Sequence, residues 1–484
     1  MSSIKNKEYL KLLSSAFSET DFIEFIRDLL NIENDNFNKN ITDIRVNLKQ
    51  FRDSIEHYKY VANYKDSKNN SIGVFIVKLK STKARNLQRN FVATLLRDKG
   101  LDASLVAFYS GNENSWRLSF VKKELTYTEK GPKESLTSAK RYSYLVGENE
   151  SLHTAEEYLL KLLDIDDRVI NVEDIEKQFD VEKVTKKFFD EYKEKYLKLQ
   201  EYLENNVDFK TESENCEFDS SEFAKKLMGQ IVFLYFLQKK GWLGVQLIPN
   251  ELTKEEYDEL LSNNDVVSQS LIKNYFVWNE DKYIVEKTKL RISEVDEDIV
   301  NLSNVFKGTK YDNDWGTGRK DFIRYIFKQA VKEHKNFFDD YLEYFFYKGL
   351  NKKRENQYFP LFNCKIPFLN GGLFEPLNGY RWSSAHFEIP NSLFSNDDKD
   401  GILDFLDLYN FTIDEEEPLE KDIAVDPEML GKIFENLLDV KERSSKGAFY
   451  TPREIVYYMC QESLANYLVN KVNVNYDEMI YFIK

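Results

Sequence analysis

Between residues 18 and 109 the apolar residues switch repeatedly between helical and strand spacing, and that order limits the fold more than any other feature. Ser18-Glu-Thr-Asp21 reads as a capping box, followed by a helical stripe of Phe22, Ile23, Phe25, Ile26, Leu29 and Leu30. Strands are expected at 41–48, 57–64 and 72–79. The last two are joined by the turn-rich Asp66-Ser-Lys-Asn-Asn70, as in a hairpin. A polar helix over 84–98 leads through Gly100 into a strand over 104–109. The order α-β-β-β-α-β closes with a crossover expected to be right-handed. Residues 116–121 are expected to add an edge strand.

The remainder reads as helical. A charged helix over 181–199 carries Phe188, Phe189, Tyr192 and Tyr196 as anchors. Residues 223–243 are apolar nearly all round, which suits a helix buried in a large domain, and 319–347 again show spacings of three and four. With 18 glycines and 9 prolines in 484 residues, long regular elements are expected. That length predicts more than one core. The expected organisation is an α/β domain over 1–150, a helical spacer over 151–415 and a further helical segment over 416–484. A hydrophobic content of 42% excludes a disordered chain. Cys216, Cys364 and Cys460 are too far apart for a disulfide framework or a metal knuckle. No apolar run reaches membrane-spanning length and no signal peptide is evident, so a soluble cytoplasmic protein without a membrane partner is expected.

A net charge of −15 argues against nucleic acid only if the charge is evenly spread. It is not. Ten basic residues lie between Lys59 and Lys99, opposed by Asp66 and Asp98 alone. Lys78, Lys83, Arg85 and Arg89 are the expected contacts to DNA phosphates. The four histidines, His57, His153, His334 and His386, have no partner spacing and read as surface or core residues. Gly316-Thr-Gly-Arg-Lys320 resembles a loop before a helix that is able to meet phosphate, a weak motif by itself.

Near the C-terminus stands Gly447-Ala-Phe-Tyr-Thr-Pro-Arg-Glu-Ile455. Thr451 suits an N-cap, Pro452 the first helical position, and Glu454 completes a capping box. Val456, Met459, Cys460, Leu464, Tyr467 and Leu468 then form a stripe expected to be buried. A helix N-terminus with free N–H groups beside an aromatic ring makes one wall for a small carboxylate ligand.

This block, with Asp426-Pro-Glu-Met-Leu-Gly-Lys-Ile-Phe-Glu-Asn-Leu-Leu438 before it, resembles the opening of the methyltransferase in type IIG restriction–modification enzymes. In these, one polypeptide carries an endonuclease, a helical spacer and an adenine-specific DNA methyltransferase. Asn86-Leu-Gln-Arg-Asn-Phe91, Gln238-Lys-Lys-Gly-Trp242 and Asn370-Gly-Gly-Leu-Phe374 are also similar to segments of that group. The resemblance implies that Tyr450, Thr451 and Pro452 help to hold the methionine part of S-adenosylmethionine. It also implies a Gly-rich strand–turn and an Asn-Pro-Pro-Tyr loop for the flipped adenine, and the chain contains neither. The expectation is therefore the N-terminal part of a restriction–modification protein, truncated before those motifs and unable to methylate DNA by itself. It would act on double-stranded DNA in defence against foreign DNA, with a separately encoded methyltransferase or specificity half as a partner.

The α-β-β-β-α-β order also matches the core of the PD-(D/E)XK nuclease fold, though simpler α/β modules share it. Such a nuclease needs two carboxylates on Mg²⁺ and a lysine close by. Lys80 and Asp66 are the candidate catalytic residues, with Asp43, Asp53 and Glu56 as other carboxylate sources. Lys78, however, occupies the position where the signature requires a carboxylate. No metal ligand set is expected, and Mg²⁺ enters only if the nuclease is active. The alternative expectation is a non-catalytic DNA-binding or interaction protein on the same scaffold.

Overall fold

In the computed structural model the described residues are 2–46, 49–80, 85–123, 126–128, 131–133, 139–164, 169–286, 297–354, 357–369, 371–385, 387–413, 420–429, 431, 451, 453–472 and 474–483. They form two compact units, Met1–Asp190 with Asp407–Lys484, and Glu191–Leu406.

The first unit is built on a mixed sheet. Its leading elements are α1 (Ser2–Leu13), α2 (Glu19–Leu29), β1 (Ile44–Arg45), β2 (Ile55–Lys65), β3 (Ser71–Leu79), α3 (Arg85–Asp98), β4 (Ala103–Ser110) and β5 (Ser115–Lys123). In space β1 to β5 follow chain order, and the strands Ala139–Gly147 and Glu420–Asp422 complete seven. Neighbours are antiparallel except β3 with β4 and the last two strands. Parallel strands need a crossover, and α3 supplies it between β3 and β4. Phe91, Val92, Leu95 and Leu96 on α3 share a core with Phe75 and Val77 of β3 and Val106 and Phe108 of β4.

Aromatic side chains gather near the start of α2. Phe22 meets the Trp116 ring edge-on, Phe17 stacks on Tyr109 at 4.4 Å, and Trp116 Nε1 donates to the Ser15 carbonyl at 3.2 Å. The α2 stripe is as its spacing predicts, with Phe22, Phe25, Ile26 and Leu29 buried. The capping box is not. Ser18 takes the extended N-cap conformation without a side-chain cap bond; separately, the Glu19 carboxylate in the first turn accepts from Lys59.

The strand expected at the edge is internal. β5 pairs over its whole length with Ala139–Gly147, and Glu420–Asp422 adds outside that strand in parallel. Both partners come from beyond the segment in which local pattern suggested an edge.

In the second unit the helix Ser220–Lys239 is buried on nearly every face, as its all-round apolar character demands. The helical stretch expected over 319–347 is divided. Phe322–Lys332 is followed by a break at His334, whose φ is 55°, and then by π-helical turns at Phe337–Leu342 and Phe345–Leu350. Among the described residues no helix is long and apolar enough to cross a membrane.

Candidate functional site

Charged side chains converge at the end of β3, where β2 carries an irregularity. The ladder runs from Ile55 opposite Leu79 directly to His57 opposite Lys78, leaving Glu56 as an extra residue. A bulge of this kind re-aims side chains. Here Glu56 receives Lys78, whose ammonium lies 3.2 Å from Oε2. His57 Nε2 is 3.1 Å from Asp43 Oδ1. Lys59, two residues along β2, sits 2.8 Å from Glu19 and 3.6 Å from Asp43. Tyr109 stands beside Lys78 in the parallel ladder.

The electrostatics follow from this crowding. The hydrogen bond to Glu19 raises Lys59 above its ordinary value, burial opposes that, and the charges of Glu19 and Asp43 add to it. Burial raises the Tyr109 phenol. Glu19, Asp43 and Glu56 reinforce that shift and Lys59 works against it. Glu19, Asp43 and Glu56 are the carboxylates a divalent cation would need, yet each faces a lysine or an imidazole. Lys59 and Lys78 occupy the space of the cation and repel one. Among the described residues no group of three or more His, Cys, Asp and Glu side chains is arranged to hold a metal ion. The cluster therefore does not fit Mg²⁺.

Neither candidate catalytic residue joins this cluster. Lys80 donates its ammonium to the Arg52 carbonyl at 2.6 Å and its backbone N–H to Ser54, tying the end of β3 to the turn before β2. Asp66 lies at the opposite end of the hairpin. Its carboxylate accepts from the backbone N–H groups of Lys68, Asn70 and Val172 and from the Asn70 side chain, at 2.8–3.2 Å. It closes the β2–β3 turn and satisfies the first N–H of the helix Val172–Gln178. The length of β3 separates the two residues, roughly 25 Å at the rise of an extended strand. They cannot share a metal or a substrate atom, so the Asp66–Lys80 pairing is corrected to two structural roles.

Of the expected DNA contacts, Arg85 and Arg89 are drawn inward, while Lys78 stays partly exposed. Lys78 is bound to Glu56. Arg85 lies 2.8 Å from Asp422 on the last strand, where Arg117 approaches the same carboxylate at 3.7 Å. Arg89 is buried. Arg141, fully buried, donates to Gln88 and lies 5.3 Å from the Phe108 ring centre. A helix face that reads as basic is, in part, the inner face of α3. Lys83 lies outside the described residues.

Of the C-terminal signature, Tyr450 and Pro452 lie outside the described residues. Thr451 is exposed just ahead of the helix Arg453–Val472. That helix packs against Tyr476–Ile483, and Tyr476 donates its hydroxyl to Glu462. Most of the stripe expected to be buried is exposed: Met459 is 57% and Tyr467 60% accessible, Val456, Cys460 and Leu464 are open too, and Leu468 is half-buried. Among the described side chains of this helix, Ala465 is the one that is buried. Spacing alone marked the helix as amphipathic; it carried no information on whether a surface would meet the stripe.

Sequence reasoning missed Glu19, His57 and Lys59 as members of the charged cluster. The alternation of His57 and Lys59 with Tyr58 and Tyr60 was the available signal. It becomes readable once the β2–β3 register is known.

The chain matches no protein-family model and no solved structure. It is similar to a Methanocaldococcus jannaschii protein described as a "putative type II restriction enzyme and methyltransferase". The two are 25% identical over 304 residues, 61% of this chain. The match spans 23% of that relative's length.

Proposed function

We propose that this chain is the N-terminal part of a restriction–modification protein of the type IIG kind, acting on double-stranded DNA. The supporting observation is the similarity to the M. jannaschii protein, together with the Gly447–Ile455 block and the segment 426–438 ahead of it. On this reading the first unit carries a PD-(D/E)XK-like module, residues 151–415 serve as helical spacer, and 416–484 open an adenine-specific methyltransferase. Tyr450, Thr451 and Pro452 would hold the methionine end of S-adenosylmethionine, which supplies the methyl group when bound. The Gly-rich and Asn-Pro-Pro-Tyr elements that complete such a site are not among these 484 residues.

For the nuclease-like module the second reading is favoured, a DNA-handling scaffold that does not cut. The observation behind it is that Glu19 and Glu56 are bound by the ammonium groups of Lys59 and Lys78, while Asp43 lies against His57 and Lys59.

The test is methyl transfer from labelled S-adenosylmethionine to DNA. The 484-residue chain alone is expected to incorporate no label. A fusion carrying the Gly-rich and Asn-Pro-Pro-Tyr elements after residue 484 is expected to incorporate it at adenine. Incorporation by the chain alone, or label on cytosine, defeats the reading. Parallel incubation with Mg²⁺ and no S-adenosylmethionine is expected to leave DNA uncut.

A further inference from the structure

Arg85 and Arg89 are engaged inside the first unit, which directs attention to basic side chains elsewhere. Two segments distant in sequence meet in the second unit. Gln238-Lys-Lys-Gly-Trp242 spans the end of the helix Ser220–Lys239, and Asp314-Trp-Gly-Thr-Gly-Arg-Lys320 precedes Phe322–Lys332. The backbone N–H groups of Gly316 and Gly318 both donate to the Gly241 carbonyl at 2.9 Å. Glycine is required at this junction. Gly241 has φ of +70° and Gly316 of +98°, and a Cβ on Gly241 would stand 2.3 Å from the Gly316 carbonyl oxygen.

This close backbone contact brings Trp242 and Trp315 together, with ring centres 6.3 Å apart. Each ring carries a cation. The Lys240 ammonium lies 4.0 Å from the Trp242 ring centre and the Lys365 ammonium 4.3 Å from that of Trp315. Arg319 rests over Tyr325 at 4.3 Å. Cation–aromatic contacts of this kind fix long side chains without neutralising them. Arg319 and Lys365 also touch Asp321 and Asp314, but these carboxylates are largely exposed, at 60% and 79%. A single-contact pair such as Lys365–Asp314 is worth about 0–1 kcal/mol, so a phosphate can displace Asp314 at little cost. Arg319 and Asp321 are joined by two hydrogen bonds, at 3.0 and 2.9 Å, and form a firmer pair. Lys240 and Lys320 have no carboxylate partner among the described residues.

We propose that this tryptophan–lysine ledge binds the phosphodiester backbone of DNA. Lys240, Lys320 and Lys365 contact the phosphates, and Trp242 and Trp315 hold two of the ammonium groups in place. The ledge deepens the proposed function and rests on its claim that the chain acts on DNA. It positions DNA without reading sequence, because phosphate contacts carry no base information.

The test is binding of the full chain to a short fluorescein-labelled duplex over a range of salt concentrations. Each phosphate contact contributes about 0.9 to the slope of log affinity against log salt. Lys240→Gln with Lys320→Gln is expected to lower that slope by about 2 and the affinity about ten-fold at low salt. Lys273→Gln, elsewhere on the same unit, is expected to leave both unchanged. Melting temperatures of the variants are expected to match the wild type, since both lysines are exposed. As an independent readout, duplex binding should change the tryptophan emission of the wild type but not that of Trp242→Phe with Trp315→Phe.

If the chain binds no DNA at any salt, the reading that it acts on DNA fails, and the ledge with it. If it binds DNA and neither the slope nor the emission change is sensitive to these variants, only the ledge is overturned. Competition by polyglutamate as effective as competition by unlabelled duplex overturns the assignment to DNA in favour of an acidic protein partner.

Discussion

Lys78 on β3 reaches across to Glu56, the bulged residue of β2, and places its ammonium 3.2 Å from one carboxylate oxygen. A lysine thus stands where a metal-dependent nuclease would require a carboxylate, and it occupies one of the acids such a site would recruit.

The consequence is measurable with Mg²⁺. The wild-type melting temperature is expected to be insensitive to Mg²⁺, because the cluster already contains its cations. Lys78→Glu sets a second carboxylate beside Glu56 and removes the ammonium that Glu56 faces. With the Glu56–Lys78 pair lost, the variant is expected to lose about 1 kcal/mol at low salt, the scale of exposed charge pairs, and to regain it when Mg²⁺ is added. A Mg²⁺-dependent rise in the wild type, seen by thermal melting, would show that metal displaces Lys78 and Lys59.

Asp66 provides a different check. Burial raises its carboxyl, but the donors from Asn70, Val172 and Lys68 together outweigh that effect and bring it below its ordinary value of 3.8. Its folded pKa lies below its unfolded one, so the stabilisation is complete above pH 3.8 and disappears as pH falls through the folded value. Asp66→Ala leaves three backbone N–H groups to find other partners and is expected to cost about 2–3 kcal/mol at neutral pH. Asp66→Asn is expected to flatten the acid limb of a stability-versus-pH curve. A variant with wild-type stability and a selective loss of DNA cleavage would restore Asp66 to a catalytic role.

How far the sequence was legible depends on the range of the interaction. The hairpin closed by Asp66–Asn70, α3 and the buried helix Ser220–Lys239 are set by local period and turn chemistry, and their positions follow from reading along the chain. The position of β5 inside the sheet was not readable, because its neighbour pairs across a hairpin and the last strand arrives from residue 420. The same holds for Arg85. Nothing near it in sequence indicates that its guanidinium binds Asp422, so a basic run reads as surface when it is partly interior. For the site, Lys78 could be recognised as the wrong residue for a metal ligand. That Glu56, His57 and Lys59 surround it depends on a bulge no local pattern reveals.

Glu343 lies buried in the second unit between two π-helical turns, accepting a hydrogen bond from Tyr380 at 2.5 Å. Burial raises its carboxyl well above 4.5, Asp339 adds to the shift and the Tyr380 hydrogen bond opposes it. The folded chain therefore holds a proton that the unfolded chain releases near pH 4.5. Stability is expected to decline as pH rises above that value, until the folded carboxyl itself titrates. Glu343→Gln keeps an acceptor for Tyr380 and a donor for Asp339 while removing the titration. Thermal melting between pH 4 and 8 should show the variant gaining on the wild type as pH rises. Parallel curves would mean that Glu343 is ionised in the fold.

The helix Arg453–Val472 makes the last prediction, because its exposed and buried positions should respond in opposite ways. Tyr458 is 62% accessible and its large ring contributes little to the fold, whereas Ala465 is fully buried. Tyr458→Glu with Tyr467→Glu is expected to change stability by no more than about 0.5 kcal/mol. The same pair should reduce self-association, since an apolar surface this open drives contact between molecules. Ala465→Leu forces three extra carbons into a packed contact and is expected to cost about 1–3 kcal/mol. Sedimentation velocity and thermal melting of the two variants separate the effects. Destabilisation by the glutamate pair comparable to that of Ala465→Leu would mean that the tyrosines are buried in the folded protein.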